Sequence, residues 1–243
     1  MTEHLIPNLK NILQRIDAAC LKSNRDAATV RLLMATKTVS ADRIKVAVEA
    51  GQSLIGENRV QEIKEKFEEL QSVMHEKHFI GHLQTNKIKD ILKYNVTCIQ
   101  SVDRIDLAQK LHQRLLHENK TIDILIQVNT SNEESKFGVH PDSAIELIQQ
   151  VAQLETMKIK GLMTIGLFSA ENDKVRTCFQ LLKSIQTETI ALHIPNVEMK
   201  ELSMGMSGDL EIAIEEGATI VRVGTAIFGQ RMHPDSYYWN ENK

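Results

Sequence analysis

From residue 31 onward, short runs of β-branched and aliphatic residues alternate with stretches whose apolar positions recur every three or four residues. The first kind predicts strands at 31–36, 53–55, 78–80, 97–101, 122–129, 160–165, 200–204 and 219–223. The second predicts helices at 41–50, 60–75, 85–94, 104–119, 142–154, 173–189 and 209–216. Boundary residues agree: Ser40 suits an N-cap, Pro141 a first helical turn, and Gly51 and Gly217 the residue after a helix. Strict alternation calls for a parallel sheet, either closed on itself or open and doubly wound. The strand count, and continuous apolar strands such as Ile122-Asp123-Ile124-Leu125-Ile126, favour a single (β/α)8 TIM barrel. Ahead of it, Leu5, Leu9, Ile12, Ile16 and Ala19 form one stripe of an extra N-terminal helix, placed in this reading over the barrel floor.

Composition narrows the class. The 243 residues are 42% hydrophobic and 25% charged, enough for a sizeable core. No linker or low-complexity tract divides them, so residues 1–243 read as one domain. A net charge of -3 offers no electrostatic reason to expect nucleic acid or anionic lipid as a partner. Cys20, Cys98 and Cys178 are odd in number and far apart, which suggests neither a disulfide framework nor a zinc knuckle. No leader or membrane-length apolar run is visible, so a reducing cytoplasm is the default expectation, and a monomer is expected.

In a TIM barrel the chemistry sits at the C-terminal ends of the strands. Lys37 occupies that place on the first strand and shares a face with Leu33 and Ala35. An ammonium at the mouth of an apolar barrel loses hydration, which lowers a lysine pKa and frees the amine to attack an aldehyde. A lysine simply paired with a neighbouring carboxylate would look the same. The loops after strands seven and eight are the recurrent phosphate site of this fold. Here they read Ser203-Met204-Gly205-Met206-Ser207-Gly208 and Gly224-Thr225-Ala226, glycines for close backbone approach and hydroxyls to donate. Turn glycines would explain either loop but not their joint placement opposite a strand-one lysine. Arg222, inside the last strand, is either a structural ion pair or a ligand for a cofactor. A guanidinium only donates, so facing a pyridine nitrogen it keeps that nitrogen unprotonated. Together these residues point to a phosphorylated aldehyde cofactor with a weakly activated ring.

Longer segments carry a resemblance. Gly56-Glu57-Asn58-Arg59-Val60-Gln61-Glu62, His78-Phe79-Ile80-Gly81-His82-Leu83-Gln84-Thr85-Asn86-Lys87, Gly161-Leu162-Met163-Thr164-Ile165, Leu202 to Ser207 and Arg222 to Gly229 resemble, in order, the pyridoxal phosphate homeostasis proteins. That resemblance implies a fold like the barrel domain of alanine racemase, with pyridoxal 5′-phosphate held as a Schiff base on Lys37. It implies phosphate contacts from Ser203, Gly205, Gly224 and Thr225, Arg222 near the pyridine nitrogen, Asn58 beside the ring and Met204 close by. It also implies a part in vitamin B6 homeostasis, without established catalysis. Two departures stand out: Lys77 where the family often has Trp, and Gly166 where proline is common.

Two function classes follow. In one, the protein is a non-catalytic regulator that exchanges the cofactor with amines or apo forms of pyridoxal-phosphate-dependent enzymes. In the other, it is an amino-acid racemase-like enzyme. A racemase of the alanine type needs a second base, a tyrosine from a separate β domain. This chain ends soon after strand eight, and Tyr94, Tyr237 and Tyr238 lie outside the predicted strand-end loops. A barrel aldolase is the third reading. Elsewhere, His78 and His82 lack the companions of a metal motif, Cys98 and Cys178 read as core thiols, and residues 62–69 read as a solvated helix face.

Overall fold

The computed structural model describes residues 4–167 and 169–230. Eight parallel strands close into a barrel in sequence order: β1 (Arg31–Ala35), β2 (Leu54–Glu57), β3 (Glu76–Phe79), β4 (Cys98–Val102), β5 (Ile122–Gln127), β6 (Met157–Met163), β7 (Val197–Ser203) and β8 (Ile220–Val223). Closure is made by β1 against β8, with Leu33 opposite Arg222 and Met34 opposite Val223. Around the sheet run α1 (Leu5–Lys22), α2 (Ala41–Glu49), α3 (Val60–Leu70), α4 (Ile88–Lys93), α5 (Ile105–Glu118), α6 (Ala144–Ala152), α7 (Asn172–Ala191), α8 (Leu210–Glu215) and the single turn α9 (Thr225–Phe228).

The period of two sorts each strand's side chains between two cores. Leu33, Leu54 and Ile220 pack together within the barrel with Ile80, as do Cys98, Leu125 and Met163 with Ile165. Neighbouring residues such as Met34, Ile55 and Ile99 join the larger core beneath the helices. Cys98 and Cys178 are buried, and burial raises both thiols.

Alternation places the eight strands and the helices between them, and their edges move for local reasons; the single turn α9 after β8 is not among the expected helices. Strands β6 and β7 begin earlier than the apolar run, because Met157-Lys158-Ile159 and Val197-Glu198-Met199 alternate rather than repeat. The helix expected at 85–94 opens as a 3-10 turn, Thr85–Lys87, before α4.

Helix α1 is not at the barrel floor. It lies in the outer ring against α8 and α9. Asn8 donates to the Ile227 carbonyl, Arg15 pairs with Glu211 at 2.6 Å, and Lys22 with Glu215 at 2.6 Å. The helix after β8 is only four residues long. Helix α1 fills the outer position that such a short turn leaves uncovered, and its apolar stripe faces the barrel wall there.

Candidate functional site

Lys37 is the second residue past β1 and is half-buried at the C-terminal mouth of the barrel. What holds it is the residue before it. The Thr36 N–H donates to the Gly56 carbonyl at 2.9 Å, and its hydroxyl to Glu57 Oε1 at 2.7 Å. The Thr36 carbonyl accepts from Val39 N–H at 3.0 Å and from Lys66 Nζ at 2.8 Å. The turn that presents Lys37 is therefore clamped from behind before any ligand arrives.

That clamp is an ionic cluster between β2 and α3. Glu57 is 1% exposed and pairs with Lys66 at 2.8 Å. Glu62 lies one helical turn before Lys66, and its carboxyl is pushed up to about 7 by burial and by the Glu57 charge. The solvated face expected for residues 62–69 is thus corrected: Glu65, Glu68 and Glu69 are exposed, but Lys66 is buried. A Glu–Lys spacing of four reads the same whether the helix face meets water or a buried carboxylate on the next strand.

Asn58 lies just past β2, half-buried, with its Oδ1 buried and without a hydrogen-bond partner. Its position depends on Gly81 in the following loop, where a Cβ would sit 2.0 Å from the Asn58 carbonyl oxygen. Only glycine permits that approach. The adjacent His82 stacks on Phe137 with ring centroids 3.8 Å apart, whereas His78 points into the barrel and accepts from or donates to Gln100. The two histidines therefore diverge.

On the neighbouring strand β8, Arg222 is 6% exposed. Its Nη1 donates to Ser203 Oγ at 2.9 Å and its Nη2 to the Thr164 carbonyl at 2.6 Å. No described carboxylate lies within ion-pair distance of it. Burial lowers its pKa to about 10, opposed by the more distant Asp209 charge. Asp209, itself raised by burial, accepts from the Met206 N–H and so shapes the loop after β7. The loop after β7 is tied to β8 by the backbone, the Arg222 N–H donating to the Gly205 carbonyl at 2.9 Å. Gly224 packs against β1, where a Cβ would lie 3.0 Å from the Ala35 carbonyl, and Thr225 is exposed at the start of α9.

Lys37, Asn58, Arg222, Gly224 and Thr225 thus converge on one end of the barrel. Ser203 lies deeper, its hydroxyl donating to Gln100 Oε1 at 2.6 Å while accepting from Arg222. Met204 is fully buried in the core beneath the helices. Sequence reasoning missed Thr36, Lys66, Gln100 and Thr164, all of which act by holding another residue. The signal for Gln100 was there, as a polar side chain inside an apolar strand. Lys77, at the family's usual Trp position, is buried over the Phe67 ring at 5.2 Å and donates to the Tyr94 carbonyl at 3.1 Å. Gly166 has φ +71°, which proline cannot adopt, and its carbonyl accepts from Lys136 at 2.8 Å. Tyr94 packs on Phe67 beneath the outer helices, and Tyr237, Tyr238 and Trp239 lie outside the described residues.

The model of the alanine racemase N-terminal domain matches residues 8–232. A pyridoxal phosphate homeostasis protein of Aquifex aeolicus is 42% identical, over 93% of this chain and 97% of its own. That of Escherichia coli is 37% identical, over 92% and 95%. A solved structure of an unknown protein from Bifidobacterium adolescentis superposes with a TM-score of 0.89 at 41% identity, covering 93% of this chain and 95% of that one. The structure of PipY from Synechococcus elongatus with PLP bound superposes at 0.78 with 32% identity, covering 90% and 100%. Clostridium difficile alanine racemase, at 13% identity and a TM-score of 0.75, shares the fold alone. The chain belongs to the alanine racemase N-terminal domain family and, within it, to the pyridoxal phosphate homeostasis proteins.

Proposed function

We propose that this protein binds pyridoxal 5′-phosphate through Lys37 and serves the intracellular supply of that cofactor rather than amino-acid catalysis. The observation that carries this reading is a half-buried lysine on a turn clamped through Thr36 at the end of β1, beside a strand, β8, that carries a buried guanidinium with no carboxylate partner among the described residues. Pyridoxal 5′-phosphate supplies an aldehyde that condenses with a primary amine, a ring nitrogen that accepts a hydrogen bond, and a phosphate.

The residues suit that group. Lys37 offers the amine. Arg222 offers a donor that cannot give up its proton. Asn58 Oδ1, buried and unpartnered, is an acceptor of the kind a ring hydroxyl satisfies. Gly205, Gly224 and Thr225 lie on the two loops where this fold binds phosphate, and Met204 ties the first loop to the core. Ser203 contributes by holding Arg222, since its own proton is committed to Gln100. The relatives' names, and the PLP-bound PipY structure, support the same reading. Acting as a monomer in the cytoplasm, the protein would pass the cofactor to amines or to apo-enzymes.

The direct test is a titration with pyridoxal 5′-phosphate followed by visible absorbance. The wild-type chain should develop a yellow band, and Lys37→Ala should develop none while keeping its circular dichroism. A full band in Lys37→Ala would overturn the assignment. Thr225→Ala should weaken retention by about 1–2 kcal/mol, the scale of a hydrogen bond to a charged acceptor, and Ser203→Ala by about as much through Arg222. Equilibrium dialysis of the double variant checks this, and unchanged affinity would move the phosphate elsewhere.

A further inference from the structure

A continuous hydrogen-bonded chain crosses the barrel interior from Arg222 to the opposite end. Arg222 Nη1 lies 2.9 Å from Ser203 Oγ, and Ser203 Oγ 2.6 Å from Gln100 Oε1. Gln100 Nε2 lies 2.7 Å from His78 Nδ1, and His78 Nε2 2.7 Å from Glu76 Oε1. Glu76, in turn, pairs with Arg31 at the start of β1. Ser203 and Gln100 are fully buried, and His78 is 4% exposed. The Ser203–Gln100 contact spans the barrel from β7 to β4, between the two apolar clusters of the interior.

The ends of this chain dictate its direction. A guanidinium only donates, and a carboxylate only accepts. Ser203 therefore accepts from Arg222 and donates to Gln100 Oε1. The Gln100 amide then donates to His78 Nδ1, which must be bare, so the His78 proton sits on Nε2 and points at Glu76. Glu76 is well suited to receive it, its carboxyl lowered by the hydrogen bond from His78 and by its pairing with Arg31. Each of the four bonds has one consistent polarity. If the ring were protonated at Nδ1, two donors would meet, and Gln100 would have to turn over and present its NH2 to Ser203.

We propose that Gln100 and His78 are positioning residues for Arg222, keeping the Ser203 hydroxyl turned as an acceptor and the guanidinium held in one orientation. The inference rests on the reading of Arg222 as the group that faces the cofactor ring. It gives a role to three buried polar side chains of the interior, where an unpaired polar atom is costly. It also runs to a solvent-accessible end, since the Glu76 side chain is 37% exposed.

The test uses nitrogen-15 NMR of the full chain freed of cofactor, followed by titration of the same samples with pyridoxal 5′-phosphate. In the wild type, His78 should be the Nε2–H tautomer, and the Arg222 Nη protons should give separate, slowly rotating signals, assigned by their loss in Arg222→Lys. In Gln100→Leu those signals should merge, and cofactor retention should fall about ten- to a hundredfold. Gln100→Glu is the nearly isosteric second variant. Its carboxylate can still accept from Ser203 but cannot donate to His78. The histidine should become doubly protonated, with the Arg222 signals and cofactor retention close to wild type. An Nδ1–H tautomer in the wild type would overturn the proposal. So would Arg222 signals unmoved by Gln100→Leu, or unchanged retention in that variant. The NMR results do not depend on where the cofactor binds. A wild type without a visible band would thus defeat the proposed function, while the tautomer and the Arg222 signals still decide the chain.

Discussion

Replacing Lys66 with methionine should destabilise the barrel by about 3–5 kcal/mol, the cost of leaving a buried carboxylate without its cation. Glu57 is 1% exposed, and Lys66 is its ion-pair partner at 2.8 Å. Methionine keeps most of the volume and the aliphatic stem, so packing loss contributes little. Lys66 also donates to the Thr36 carbonyl, so the variant should loosen the turn that carries Lys37 and weaken cofactor retention as well. Denaturant unfolding checks the first effect, and a loss below about 1 kcal/mol would show that the cluster contributes nothing beyond an exposed pair. The wild-type cluster has a pH signature of its own. The Glu62 carboxyl titrates at about 7 in the fold, above its ordinary 4.5. Between those values the folded chain binds more protons than the unfolded one, so this group's stabilisation is complete below about 4.5 and fades as pH rises to about 7. Glu62→Gln should remove that slope from a plot of unfolding free energy against pH.

The second large effect is on chemistry. With the cofactor bound, the protein should exchange the α-proton of free L-amino acids little or not at all. Arg222 would hold the ring nitrogen unprotonated and deprive the cofactor of its most electron-withdrawing form. No described tyrosine stands at the mouth to act as an opposite-face base, since Tyr94 is packed beneath the outer helices. A positioned base is worth about a hundred- to ten-thousand-fold, and both deficits act on the same proton transfer. Incubation in deuterated water with individual L-amino acids, followed by proton NMR, measures the exchange. Rapid exchange with inversion, abolished by Lys37→Ala, would make this chain a racemase-like enzyme.

What could be read in the sequence follows from how local each signal is. The barrel was legible because strand and helix periods alternate along the chain without reference to distant residues. Lys37 was legible because strand-end placement and a period of two are local properties, and Arg222 because a charge inside Ile220-Val221-Arg222-Val223 needs a reason. The place of α1 was not legible, since it depends on how short the helix after β8 is. Lys66 was misread because its partner is on another element. Gln100 and His78 sit on β4 and β3, and their partner Ser203 on β7, so their shared role exists only once the sheet has closed. Ser203 was singled out for a neighbouring phosphate, yet the fold commits its hydroxyl to Gln100 and Arg222.

Borohydride reduction of the cofactor-loaded protein, followed by peptide mapping in a mass spectrometer, tests the central claim most directly. Reduction makes the link to the amine permanent, so the modified residue identifies the group that held the cofactor. The account predicts a single phosphopyridoxyl adduct on Lys37, absent from Lys37→Ala. An adduct on Lys87 or Lys136 in its place would contradict it.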